Sequence, residues 1–169
     1  ISEEMQRVNG IRDLMAFLGS FGVRPEDTVK VWKVYGQDSV ACIQEDPYRL
    51  CSDKIGISFA VADQLAESLE YDRDNKERVK AGVLYVLRHN LNNGHTCLPA
   101  DKLCAAAAKL LGVPPESAQE ALLELCQTFE AVNENFNGRD FVFLPKQHRS
   151  EVYCADRIHM MLRYPPESI

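Results

Sequence analysis

No stretch of this 169-residue chain approaches the roughly twenty consecutive apolar residues that a membrane helix needs, so a soluble protein without a membrane partner is expected. Positive charge is also short. Nineteen Lys+Arg stand against 25 Asp+Glu, a net charge of -6, which argues against a free-standing nucleic-acid binder held by bulk charge. The six cysteines (Cys42, Cys51, Cys97, Cys104, Cys126, Cys154) include no C-x-x-C pair, and His89, His95, His148 and His159 complete no zinc spacing. Reduced, buried thiols of a cytoplasmic protein are the expectation. No G-x-x-x-x-G-K-[ST] occurs, so the phosphate-cradling loop of an ATPase is missing, and no cofactor is expected in this segment. Residues 1 to 10 lack the basic-then-apolar order of a signal peptide and the chain opens on Ile1, so it reads as a segment of something longer.

What is present is apolar helical periodicity within a 46% hydrophobic composition. Ile11, Leu14, Met15 and Leu18 form a stripe that stops at Gly19. Val29, Val31, Trp32 and Tyr35 follow Pro25, a residue suited to a first helical turn, and Gly36 ends that helix. A short helix over Ser39 to Glu45 is stopped by Pro47, and Phe59, Ala62, Leu65, Ala66 and Leu69 mark the next. The polar stretch Tyr71 to Asn75 reads as a linker. Beyond it Val79, Val83, Val86, Leu87 and Leu91 define a long helix ending near Asn93-Gly94, and a short extended piece over His95 to Leu98 precedes Pro99. Leu103, Ala107, Leu110 and Leu111 give a helix closed by Gly112, and Ala118 to Phe129 give another. Asn137-Gly138, flanked by extended runs 131–135 and 140–144, signals a hairpin with a type I′ turn. A last helix is expected over Gln147 to Leu162.

Two places share one plan: a helix ends, a glycine turn follows, and a new helix begins. The first is Leu18 to Pro25; the second runs from the helix before Pro47 through Gly56 to Phe59. These look like tandem helix-hairpin-helix units. Hairpin glycines allow the backbone to approach a phosphate, and the N–H groups of the following helix donate to its oxygens with help from the helix dipole. Such contacts position DNA without reading sequence. The candidate DNA-binding residues are Gly22, Val23, Arg24 and Lys30 in the first unit and Lys54, Gly56, Ile57 and Ser58 in the second. Glu26 and Asp27 in the first helical turn would repel an anion, whereas no acid follows Lys54 until Asp63. Ser58 has the chemistry of an N-cap, accepting a bond from a nearby backbone N–H. The alternative for both turns is plain packing.

Charge agrees with local rather than global contact. Residues 1–75 carry 8 basic and 14 acidic side chains, a difference of -6, and residues 76–169 carry 11 of each. Other chemistry is thin. His95 and Cys97 lie two apart, but a nucleophilic pair would need facing geometry and an oxyanion hole. The carboxylates Asp46 and Asp53, or Glu3 and Glu4, lack a third metal ligand and read as solvated charges. Phe141 and Phe143 alternate with Val142 and Leu144, giving one apolar face for packing and one for docking; Arg139 at the turn reads as an ordinary solvated turn charge, the alternative being a wing residue that touches DNA.

The segments "FLGSFGV" (17–23), "VWKVYG" (31–36), "DPYRL" (46–50), "IGISFAVAD" (55–63), "ERVKAGVLYVL" (77–87) and "NGHTCLP" (93–99) occur in an order and spacing that resemble the N-terminal region of RecD-like (YrrC-type) DNA helicases, over roughly residues 14–145. Where that family reads Gly-Ile-Gly-Phe, this chain has Gly56-Ile57-Ser58-Phe59. The resemblance implies a mainly α fold: tandem helix-hairpin-helix units (1–73), a winged-helix-like bundle with one small β-hairpin (74–146), and a connecting helix (147–169) toward a downstream ATPase core. It implies an accessory DNA-binding region of an ATP-dependent DNA helicase, the parent using ATP and Mg and sometimes labelled an exodeoxyribonuclease V alpha chain, in DNA repair and recombination. The expected partners are single-stranded or junction DNA and the downstream helicase core. The alternative is a structural or protein-interaction module that braces that core. The segment itself carries no catalytic motif.

Overall fold

The computed structural model describes residues 2–164, apart from the side chains of residues 2–4, 6 and 7. The Glu3 and Glu4 side chains and the tail 165–169 lie outside the described residues. The helices are α1 (Ser2–Gly19), α2 (Pro25–Tyr35), α3 (Ser39–Glu45), α4 (Phe59–Ser68), α5 (Lys76–Asn92), α6 (Ala100–Leu111), α7 (Pro115–Gln127) and α8 (Pro145–Arg163). The strands are β1 (Cys97–Pro99), β2 (Val132–Phe136) and β3 (Arg139–Phe143), and short 3-10 turns lie at Gly36–Asp38 and Pro47–Cys51. The fold is mainly α, with one small antiparallel sheet, in line with the expectation. Two compact units divide between Ala81 and Gly82, inside α5.

In the first unit, both glycine turns feed one core. Leu14 and Leu18 of α1, Val31 and Trp32 of α2, Ile43 of α3 and Leu65 of α4 meet Val23 from the first turn and Leu50, Ile55 and Ile57 from the second. Gly10 lets α1 and α2 approach, because a Cβ there would lie 2.6 Å from the Trp32 ring. The stretch Tyr71 to Asn75 is a pinned turn. The Tyr71 hydroxyl donates to the Glu45 carbonyl at 3.1 Å, and Asn75 Oδ1 accepts from the Glu77 N–H at 2.8 Å, capping the start of α5.

The second unit runs helix, strand, two helices, hairpin, helix. Its sheet order is β1-β3-β2, both pairings antiparallel, and this is a winged-helix-like order. Asn137 and Gly138 have φ of 53° and 79°, both positive as a type I′ turn demands. The strands sit one residue later and earlier than expected, so that the turn is left with two residues. Leu98 pairs with fully buried Val142 beside a core of Leu103, Ala107, Ala118 and Leu125. Register places Phe136, Phe141 and Phe143 on the opposite face of the sheet. There the start of α8 covers Phe143: the His148 ring lies 5.4 Å from it, and His148 Nε2 is 2.9 Å from Glu134 Oε1.

Candidate nucleic-acid interface

The first turn is a helix stop. Val23 N–H donates to Leu18 O at 3.2 Å and Gly22 N–H to Gly19 O at 3.1 Å, with Gly22 at φ 75°. That nested pair is a Schellman stop. In the second turn, Gly56 N–H donates to Ser52 O at 2.8 Å and Ile57 N–H to Leu50 O at 3.1 Å, again with φ 75° at the glycine. Both glycines are exposed, and a Cβ built on either meets nothing within 4 Å. The backbone at each bend therefore faces open space.

Val23 and Ile57 do not face that space. Both are buried, and their amides are already bonded to the chain before the bend, so they anchor the turns to the core rather than presenting donors. Among the described residues, the N–H groups of Arg24 and Glu26 at the start of α2, and of Ser58 and Ala60 at the start of α4, have no protein acceptor. These orphan donors at helix starts are the groups able to hold an anion.

Electrostatics separate the two bends. In the first, Asp27 takes both candidate cations. Lys30 Nζ lies 2.7 Å from Asp27 Oδ1, and the Arg24 guanidinium 3.1 Å from Oδ2. The Lys30 hydrogen bond, opposed by burial and reinforced by Arg24, holds the Asp27 carboxyl below its ordinary range. In the second, Lys54 is exposed and forms no ion pair among the described residues. Ser58 occupies the N-cap position of α4, at φ -66° and ψ 148°, yet its side chain accepts no bond from the helix. The expected cap bond is absent; the Ser58 carbonyl accepts the N–H groups of Val61 and Ala62, each at 3.2 Å, as a helix start does.

A part-buried brace supports the second bend. The Tyr48 hydroxyl donates to Asp63 Oδ1 at 2.7 Å, and Arg78 Nε and Nη2 donate to Asp63 Oδ1 and Oδ2 at 2.8 and 3.2 Å. The group ties the 3-10 turn before Gly56 to α4 and α5. Burial pushes the Asp63 carboxyl up, but the Arg78 and Tyr48 hydrogen bonds outweigh it and leave it below its ordinary range. Burial, followed by the Asp63 contact, pushes the Tyr48 phenol far up. Pairings fifteen residues apart leave no mark in periodicity, and sequence reading missed them.

The remaining candidates take structural roles. Asp46 caps the 3-10 turn, accepting from Tyr48 N–H at 3.0 Å, and lies 3.5 Å from Arg49, so it is neither a solvated charge nor half of a metal pair. His95 N–H closes α5 on Asn90 O at 3.1 Å, and burial raises the Cys97 thiol. Of the cysteines only Cys104 is buried and Cys154 is exposed, which corrects the expectation of buried thiols. Among the described residues no cluster of metal-ligating side chains is found, and no helix is long and apolar enough to cross a membrane. Arg139 lies 3.4 Å from Asp101 and 5.9 Å from the centre of the Phe141 ring.

Two glycine bends, each delivering an open helix start from one shared core, define a helix-hairpin-helix protein. The family model described as the ATP-dependent RecD2 DNA helicase HHH domain matches residues 7–97, which takes in both bends and extends through α5 to the start of β1. The chain belongs to that family.

Proposed function

We propose that this segment is an accessory DNA-binding region of an ATP-dependent DNA helicase, and that the second bend is its principal phosphate contact. One observation carries the reading: at Lys54–Ala60 an uncommitted ammonium, an uncommitted serine hydroxyl and two orphan amides surround a glycine that faces open space. These groups match the oxygens of a sugar-phosphate strand and ignore base identity. The first bend contributes less, since Asp27 and Glu26 offset Arg24 and Lys30. Single-stranded or junction DNA is the ligand, and ATP with Mg belongs to the parent's motor. Repair or recombination in the cytoplasm is the setting this implies.

The test is binding of a labelled single-stranded oligonucleotide at about 20 mM salt, where phosphate attraction is little screened. Lys54→Glu is expected to weaken it about tenfold and to flatten its salt dependence. Unchanged binding would remove the second bend from the interface.

A second reading rests on α8. Cys154, Ala155, Ile158, Met161 and Leu162 form an exposed apolar arc on that helix. Apolar surface of this kind favours cover by another protein surface, and the proposed occupant is the downstream helicase core. Amide exchange in α8 should slow by at least about tenfold in the full-length polypeptide if a core docks there, since the docked arc can open only as the contact breaks. Equal exchange in both would dismiss it.

A further inference from the structure

α8 carries a second set of exposed groups, on a side different from the apolar arc. In steps of three and four, Lys146, Arg149, Tyr153, Arg157 and Met160 fall on one line, and Tyr164 at the C-cap continues it. Tyr153 is 64% exposed and Tyr164 70%, and the three cations are exposed as well. Among the described residues none of these cations makes an ion pair, unlike Arg24 and Lys30. No carboxylate stands on the line. Glu151 lies on the far side of the helix, while Asp156 and the cation Arg163 border the line.

Lys146 and Arg157 are separated by about 16 Å along the helix axis, the rise of roughly five stacked nucleotides at ~3.4 Å each. Unpaired cations spaced this way suit phosphates. Tyrosine rings, Tyr153 between the cations and Tyr164 beyond them, suit bases, since every base offers a π-face and stacking is indifferent to sequence. Stacking on a side chain requires unpaired bases, which selects single-stranded over duplex nucleic acid. A protein occupant would have to bring a carboxylate to each of the three cations to offset their desolvation, whereas a nucleic acid carries a phosphate at every nucleotide. The apolar arc on the other side is the face suited to protein.

We infer that α8 is a single-stranded nucleic-acid track, with Lys146, Arg149 and Arg157 on phosphates and Tyr153 and Tyr164 stacked on bases. The inference takes its ligand class from the DNA-binding reading above and adds a contact separate from the glycine bends.

The experiment uses the 169-residue chain and a fluorescein-labelled sixteen-mer of deoxythymidine, followed by anisotropy, together with photocrosslinking to a 5-iododeoxyuridine oligonucleotide. Tyr153→Ala and Tyr164→Ala should each weaken binding about tenfold. Tyr153→Phe should bind like the unaltered chain, because the ring is kept. Arg149→Gln with Arg157→Gln should lower the slope of log affinity against log salt by about 1.4, at ~0.7 per phosphate. Crosslinks should map to Tyr153 or Tyr164, and should persist there in Lys54→Glu. Alanine variants that bind normally, or an unchanged slope in the double variant, would overturn the track and favour a protein occupant. Silent α8 variants alongside a damaging Lys54→Glu would remove this inference and leave the bend reading standing, and the reverse result would do the opposite. No binding by the unaltered chain at about 20 mM salt would overturn both, given how weakly such salt screens phosphate attraction.

Discussion

Ser58 stands at the N-cap of α4 with a hydroxyl that the helix does not use. Aspartate is at least as good a cap as serine, and its charge suits the positive end of the helix. Ser58→Asp should therefore keep or slightly raise thermal stability while weakening oligonucleotide binding about tenfold, since it places a carboxylate where a phosphate would sit. Parallel losses of stability and binding would contradict this. Asp63 is a residue of the opposite kind, half-buried and holding Tyr48 and Arg78 together. Asp63→Asn should destabilise the first unit by about 1–3 kcal/mol in chemical denaturation, because it leaves the part-buried Arg78 guanidinium short of its partner. Its folded carboxyl lies below the ordinary value of 3.8. The stability it contributes is thus fully present above that value and is lost as pH falls through the lower, folded one. Acid unfolding should begin at higher pH in a Tyr48→Phe variant, which lacks one of the bonds holding the carboxylate ionised. An unaltered acid transition would show the bond to be inconsequential.

The elements show how much the amino-acid order reveals. Pro25 opens α2, Gly112 closes α6 at φ 69°, and Asn137-Gly138 turns the hairpin; each of these signals is local and was legible. The glycine bends were legible too, because Gly22 and Gly56 must adopt a backbone conformation that other residues reach only with strain. β1 was readable only as an extended piece, since its partner β3 lies more than forty residues away. The unoccupied hydroxyl of Ser58, the capture of Arg24 and Lys30 by Asp27, and the Tyr48–Asp63–Arg78 brace depend on side-chain geometry and carry no sequence signature. The hydrogen bonds within Tyr71–Asn75, made by Asp72 and Asn75 to nearby backbone N–H groups, are likewise not visible in composition. At this scale Gly138→Val should cost about 1–2 kcal/mol, since its φ of 79° lies where a β-branched residue is strained. A stability loss near zero would mean that the hairpin relaxes to another turn.

For the molecule as a whole, an overall charge of -6 means that affinity for DNA must come from a few placed groups, and its fall with salt counts the phosphates they hold. The acidic load of residues 1–75 is partly neutralised in place, as Asp27, Asp46 and Asp63 are each held by neighbouring cations or backbone donors. That leaves Lys54 among the cations near an open helix start. The measurement that tests this most directly is amide chemical shift perturbation on addition of a short single-stranded oligonucleotide at low and high salt. Gly56, Ser58 and Ala60 should shift at low salt, more than Gly22 and Arg24, and should return to their starting positions at high salt. Unmoved amides at residues 54–60, with binding still detected, would contradict the assignment of the second bend.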